Sequence, residues 1–268
     1  MLPLVFLDLD GTIIGTDGGV SDAVWQAIEV AHAAGIILAA CTGRACQGVA
    51  QQIAQRLAPH TAHVFHNGAL VANADGHILQ SHTLERAELA RLVEHARTIG
   101  ATIEFYTADA IYVEQLDWRC EHHAEVLQIE LTRRDLDDVA QSEDVLRAHW
   151  IVAPEQLEAA LALHLAGCQI GTASSPALPE SVFASVTRAG VSKGSAARFV
   201  ADALGVALEH TMAIGDSHGD LPVLEIVGHP RVMGDAPGEL TRRFATLASI
   251  SQDGVIEALR EAMMWKKR

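Results

Sequence analysis

The sequence predicts an α/β protein, a parallel core split by an inserted α+β domain. Three observations carry that expectation. Apolar runs of strand length alternate with helical segments over the first 70 residues, a pattern that builds parallel sheets with right-handed crossovers. From about 70 to 185 the texture changes to short strands in pairs, separated by helices. Around Gly190 the strand–helix alternation returns. With 268 residues the chain can form one large domain or two smaller ones around a sizeable core.

Each element follows from its residues. Leu4-Val5-Phe6-Leu7 is an unbroken apolar run of the kind made by a strand buried on both faces. Ser21 can cap a helix that begins Asp22-Ala23-Val24-Trp25 and ends near Gly35. Ile36-Ile37-Leu38-Ala39-Ala40-Cys41 is a second buried strand, followed by Thr42-Gly43 and a helix over about 46–58. Val64-Phe65-His66 then reads as a third strand ending at Asn67-Gly68, which completes a βαβαβ unit. Val71-Ala72 and His77-Ile78-Leu79 flank Asn73-Ala74-Asp75-Gly76 as a hairpin. A helix over about 84–99 leads into strands at 102–105 and 111–113. Further on come Trp150-Ile151-Val152, a helix starting at Pro154, and strands at 168–171 and 181–186. A helix from Lys193 to about 204 and the strand Thr211-Met212-Ala213-Ile214 restore the opening rhythm. The expected plan is core over 1–81, inserted domain over 82–185, and core again over 186–268, with no internal repeat or low-complexity tract.

Composition narrows the function. The formal charge of −15 comes from 34 acids against 19 Lys and Arg, with the 14 His counted neutral. That balance gives no reason to expect nucleic-acid or anionic-membrane partners. An anionic substrate would need local help from a cation or a few placed basic groups. No apolar run approaches the roughly 20 residues of a membrane span, and the first apolar stretch has no basic region before it, so no secretory signal is expected. Cys41, Cys46, Cys120 and Cys168 form no CxxC pair and read as reduced, structural residues. The expected compartment is the cytoplasm.

Four short islands carry the chemistry: Asp8-Leu9-Asp10-Gly11-Thr12, Thr42-Gly43-Arg44, Lys193, and Gly215-Asp216-Ser217-His218-Gly219-Asp220. Asp8 and Asp10 stand at i and i+2 just beyond a strand, so their carboxylates converge past its carboxyl end, where open α/β sheets bind ligands. Close acids repel unless a cation or a shared proton relieves them. Taken singly, each island has a plain alternative. Asp10-Gly11 could be a turn, Thr42 a helix cap, Lys193 a solvated first-turn lysine, and Asp216 and Asp220 loop and cap residues. Three of the islands, however, fall at strand ends. There, carboxylates, a hydroxyl and an ammonium would face one crevice, a set suited to a phosphoryl group bridging to a hard divalent cation, Mg²⁺.

These stretches resemble the four motifs of the haloacid dehalogenase (HAD) superfamily, in its Cof-like branch with a class II cap. Asp-Leu-Asp-Gly-Thr at 8–12 fits the first motif, Cys-Thr-Gly-Arg at 41–44 the second, Ser-Lys-Gly at 192–194 the third and Gly-Asp-Ser-x-x-Asp at 215–220 the fourth. Asn67-Gly68-Ala69 and Val232-Met233-Gly234-Asp235-Ala236 also resemble stretches of that branch. The resemblance covers nearly the whole chain and implies a parallel, Rossmann-like HAD core with an inserted α+β cap domain. It implies that Asp8 is the nucleophile, forming an aspartyl-phosphate, and that Asp10 protonates the leaving alcohol and then deprotonates water. That acid–base role needs a carboxyl whose pKa is shifted towards working pH, and nearby Asp8 acts in that direction. The metal would be held by the Asp8 carboxylate, the Asp10 main-chain carbonyl and Asp216, with Asp220 either a ligand itself or one step behind it. Thr42 would bond the phosphoryl oxygens and Lys193 would neutralise charge on phosphate and nucleophile. Two positions depart from the branch: Gly219 replaces the usual Asn, removing an amide near the site, and Val223 stands where Met is frequent. Asp235 also stands where Asn is common.

Thr42, Gly43, Arg44, Asn67 and Lys193 are the candidate substrate contacts. Arg44 could instead brace the crevice against a carboxylate, and Asn67-Gly68 could be only a turn. His122-His123 with His82 could suggest zinc, but no ligand spacing supports it, and they read as surface histidines. Tyr106, Tyr112, Trp118 and Arg119 could line a substrate pocket or pack in the core. The reading these features support is a Mg²⁺-dependent phosphatase acting on a small phosphorylated metabolite, with a sugar phosphate as the leading class, in a monomer or homodimer. In it the inserted domain would close over the core and select the leaving group. The alternatives are a phosphotransferase or phosphomutase on the same scaffold, a non-enzymatic sugar-phosphate binder, and an α/β interaction module. Loss of Asp8, Asp10, Lys193 or Asp216 would mark a non-enzymatic binder, and all four are present.

Overall fold

The computed structural model describes residues 1–16, 18–175 and 178–265. The chain divides into two compact units. One comprises Met1–Arg44, Ala50–Leu79 and Ser192–Arg268; the other comprises Ala45–Val49 and Gln80–Val191. The return to the first unit comes at Ser192 rather than 186, because the strand Leu178–Arg188 stays within the inserted unit's sheet.

The opening segment builds the first half of the core. β1 (Leu4–Leu7) is buried at every position, as its unbroken apolar run requires. α1 (Asp22–Ala33) starts where Ser21 places it: the hydroxyl accepts the Val24 N–H at 3.1 Å. β2 (Ile37–Ala40) lies parallel to β1, with Leu4 beside Ile37, and α2 (Gly48–Leu57) follows. The third strand departs from the expected pattern. β3 (His63–Phe65) meets the line of β2 through one parallel bridge, Cys41 to Val64, and pairs antiparallel with β4 (Leu70–Ala72). With β5 (Ile78–Ser81) these form a separate three-stranded sheet. The backbone carries the link to the line of β2, with the Thr42 N–H donating to the Val64 carbonyl at 2.9 Å, and the His63 side chain reinforces it. Its Nδ1 accepts the Ala40 N–H at 3.0 Å, and its Nε2 lies 2.9 Å from the Ala58 carbonyl.

The inserted unit runs α3 (Arg86–Ile99), β6 (Thr102–Tyr106), β7 (Ile111–Val113), α4 (Trp118–Leu127), β8 (Thr132–Arg133), α5 (Leu136–Ser142), β9 (Arg147–Val152), α6 (Leu157–Leu161), β10 (Cys168–Ser175) and β11 (Leu178–Arg188). Its six-stranded sheet has the order β10-β11-β9-β6-β7-β8. On one face Ile103, Phe105, Ala148 and Trp150 pack with residues of α3, α5 and α6. Because side chains alternate across a strand, Glu104, Tyr106, Arg147, His149 and Ile151 occupy the other face, towards α4. α4 and α5 were not expected from periodicity, since both are short. Their signal is an acid at each start: Asp117 accepts the N–H groups of Arg119 and Cys120, and Asp135 those of Asp137 and Asp138. Pro154 begins a 3₁₀ turn, Pro154–Gln156, that feeds α6.

The chain then returns through α7 (Lys193–Ala203), β12 (Thr211–Gly215), α8 (Leu221–Leu224), β13 (His229–Val232), α9 (Gly238–Arg243), β14 (Ala245–Thr246) and α10 (Val255–Met264). Ser192 caps α7 by accepting the Ser195 N–H at 3.0 Å. The core sheet has the order β14-β13-β12-β1-β2, with every pair parallel. Leu4, Phe6, Ala39 and Ala213 pack against Ala196, Ala197, Val200 and Ala201 of α7. That packing fixes the start of α7 beside the carboxyl ends of β1 and β12. Cys41, Cys46, Cys120 and Cys168 are thiols outside any disulfide, and no helix among the described residues is long and apolar enough to cross a membrane.

Candidate active site

The ladder sets the first two acids. β1 and β12 run in register, Leu7 beside Ile214, and the Asp8 N–H donates to the Ile214 carbonyl at 3.0 Å. Asp8 and Asp216 therefore leave neighbouring strand ends, with ligand oxygens within 4.8 Å of each other. Gly11 makes room for this. It holds a φ of 73°, and a Cβ there would lie 2.1 Å from Asp216 Oδ2.

Lys193 is not a solvated first-turn lysine. It is buried, and its Nζ donates to Asp8 Oδ1 and to Asp220 Oδ1, both at 2.7 Å. Asp220 is buried as well. Its other oxygen accepts the N–H groups of Asp216 and Ser217 at 3.1 and 3.0 Å, and the Ser217 hydroxyl at 3.1 Å. Asp220 thus shapes the loop that presents Asp216 while it anchors the lysine. Ser217, not singled out from sequence, is part of that anchor; its place within the 215–220 motif was the available signal.

The electrostatics leave a deficit of positive charge. Ligand oxygens of Asp8, Asp216 and Asp220 all lie within 4.8 Å of one another, with one ammonium among them. Burial, followed by repulsion from Asp220, holds the Asp8 carboxyl well above the usual carboxylate range, and Lys193 offsets this only in part. Burial and Asp220 push Asp216 up to about 6. Burial alone would lower the Lys193 ammonium, but Asp220 and Asp8 outweigh it and hold its pKa well above the usual lysine range. Three carboxylates around one ammonium suit a hard divalent cation, whose oxygen donors they supply. Burial raises the Cys41 thiol, so this neighbour of the site stays protonated.

The remaining candidates divide. Asp10 is exposed and held by Arg44 through two bonds, Nε to Oδ2 at 2.8 Å and Nη2 to Oδ1 at 2.6 Å. In this structure the Arg44 guanidinium is engaged with the Asp10 carboxylate. Thr42 caps no helix, since α2 begins only at Gly48. Its buried hydroxyl accepts the Arg44 N–H at 3.1 Å and so shapes the turn that aims Arg44. Asn67 is both a turn residue, with a φ of 55°, and a neighbour of that turn: a Cβ on Gly43 would lie 2.9 Å from its Oδ1. Gly219 answers no steric demand, because a Cβ there would meet nothing nearer than Ser217 Oγ at 3.4 Å. Asp235 accepts the Ile250 N–H at 2.7 Å, an anchor for the turn Ile250–Gln252.

The inserted-unit candidates differ in exposure. Tyr106 is buried, Trp118 is exposed, and Arg119 stacks on Trp118 at 4.5 Å. Of the histidines, His122 is at the surface and His82 is half-buried, but His123 is buried against Glu104. The surface reading fails for His123 because α4, which carries it, packs on the sheet.

Comparison with known proteins agrees with this geometry. A protein of Streptococcus pyogenes serotype M6, named as a candidate phosphatase, is 28% identical over 269 residues, covering 97% of this chain and 98% of its own. A solved HAD-superfamily phosphatase, BT1666 of Bacteroides thetaiotaomicron, superposes with a TM-score of 0.82 at 23% identity over 98% of this chain and 95% of its own. The HAD subclass IIB sugar phosphatase BT4131 superposes with a TM-score of 0.82 at 21% identity over 96% and 98%. At such identities the two structures speak for the fold. The sequence model of the haloacid dehalogenase-like hydrolases matches residues 5–259, and the chain belongs to that family of enzymes.

Proposed function

We propose that the protein is a Mg²⁺-dependent phosphatase that hydrolyses a small phosphomonoester, with a sugar phosphate as the leading class, through an aspartyl-phosphate on Asp8. The observation that carries the reading is the buried Lys193 ammonium, 2.7 Å from both Asp8 and Asp220, with Asp216 alongside. Asp8, the Asp10 main-chain carbonyl and Asp216 would hold the ion, which supplies positive charge against the phosphoryl oxygens. The sugar-phosphate class draws support from BT4131, described as a sugar phosphatase.

The chain's own residues divide the work. Asp8 Oδ attacks phosphorus, forming the acyl–phosphate bond as the bond from phosphorus to the leaving oxygen breaks. Lys193 favours the ionised form of Asp8, orients it and neutralises charge gathering on the phosphoryl group. Asp10 gives its proton to the leaving oxygen and then takes one from the water that cleaves the acyl–phosphate. Each Asp10 oxygen accepts one bond from Arg44, which holds the carboxylate in place and leaves each oxygen a second lone pair for the proton. Thr42 and the main chain around Gly43 are the neutral donors for phosphoryl oxygens, with Arg44 and Asn67 at the rim.

The test is Asp8→Asn. With Mg²⁺ and a panel of sugar phosphates, the parent is expected to release inorganic phosphate and the variant to fall by at least about a thousandfold, the scale of losing a nucleophile. Unchanged turnover in the pure variant would overturn the mechanism. Phosphate appearing on an added sugar, rather than free, would assign the protein to phosphotransfer instead.

A further inference from the structure

The inserted unit gathers a second set of ligating side chains, separate from the acids of the core. Glu104 on β6 and His149 on β9 are direct cross-strand partners, so their side chains stand on the same face of the sheet. His123 comes down from α4, its Nδ1 3.1 Å from both Glu104 oxygens. The two imidazoles are 5.5 Å apart, centre to centre, and inclined at 74°. All three residues are buried, and each offers an atom within 4.8 Å of the others.

We propose that Glu104, His123 and His149 form a binding site for a transition-metal cation, Zn²⁺ foremost. Two neutral imidazoles and one carboxylate are a donor set that suits zinc, whereas Mg²⁺ favours oxygen alone. Zn–N and Zn–O bonds of about 2.0–2.1 Å place tetrahedral ligand atoms about 3.4 Å apart. The 3.1 Å between His123 Nδ1 and Glu104 is already close to that spacing. The surroundings are those of a built site. The Tyr106 hydroxyl donates to Glu104 Oε2, which orients the carboxylate as outer partners of metal ligands do. Phe183 lies 5.0 and 5.3 Å from the two imidazoles and supplies an apolar wall. Arg147, two residues before His149 on β9, stacks over the Tyr106 ring at 4.0 Å and is the cation against which a metal must compete. The ion would cross-link two strands to α4. Three protein donors leave a fourth position for water or an anion.

The test uses the untagged full-length chain, stripped with a chelator. It is dialysed against limiting Zn²⁺ and, separately, Co²⁺. Asp216→Asn serves as the background, so that the core acids do not contribute. One equivalent of zinc is expected in that background, falling at least tenfold in occupancy with His149→Gln added, at unchanged far-ultraviolet circular dichroism. The Co²⁺ form is expected to show the strong visible bands of four-coordinate cobalt rather than the weak ones of an octahedral oxygen site. Equal zinc content with and without His149→Gln overturns the proposal. Should that variant not fold, the cobalt spectrum of the otherwise unmodified background decides: weak octahedral bands, or none, overturn the proposal equally.

Discussion

Lowering the pH from 7 to 5 should weaken Mg²⁺ binding at the core site by about tenfold, and the reason lies in Asp216. Its carboxyl is pushed up to about 6 by burial and by Asp220, so near that pH the metal-free site holds a proton that the cation must expel. The sign follows from that competition. Below about 6 the proton occupies the ligand and the affinity falls with pH; above it the site is ready and the affinity is flat. For a group titrating at about 6, the affinity is reduced by a factor of about 1.1 at pH 7 and about 11 at pH 5, a difference of about 1.4 kcal/mol. Asp8, also held high, would steepen the fall. Calorimetric titration of the metal-free protein with Mg²⁺ at several pH values reads the affinity. Repeating it in buffers of different ionisation enthalpy counts the protons released, of which the share from Asp216 rises from close to none at pH 7 towards one per ion at pH 5. An affinity constant within a factor of two between pH 7 and 5, with no proton release, would refute the assignment of Asp216 as a ligand in this electrostatic setting.

Two further outcomes follow from the same physics. His63, lowered from 6.5 to about 4 by burial, binds its proton less readily in the folded than in the unfolded chain. Stability is therefore full above pH 6.5 and is lost as pH falls towards 4, by up to about 3 kcal/mol, and urea titrations across that range should show a flatter profile for His63→Asn. Lys193→Met leaves Asp8 and Asp220 buried without their ammonium and should cost about 3–5 kcal/mol in metal-free protein; adding Asp8→Asn should recover part of that loss in the same denaturation assay.

Much of the core was legible in the sequence because parallel strands buried on both faces must be unbroken apolar runs. β1, β2 and β12 announced themselves that way, and Asp8, Thr42 and Asp216 just beyond them had to emerge at one edge of the sheet. Ser21 marked a helix start for an equally local reason, the need to satisfy the first N–H groups. β3 was legible as a strand, but its antiparallel ladder with β4 was not; a parallel bridge and the Thr42 N–H to the Val64 carbonyl, reinforced by the His63 side chain, tie it to the line of β2.

What the sequence determined by itself is therefore the list of reactive groups and the strand ends that carry them. What only the tertiary structure decided is which of those groups touch. Lys193 and Asp220 reach Asp8 from helix and loop because α7 packs on the sheet, and no spacing along the chain encodes that meeting. The same holds for His123, which looks like a surface residue beside His122 until α4 lays it against Glu104 and His149. Local rules act over a few residues and survive in the sequence. Burial, charge compensation and ligand geometry depend on partners far apart along the chain, and they exist only once the chain has folded.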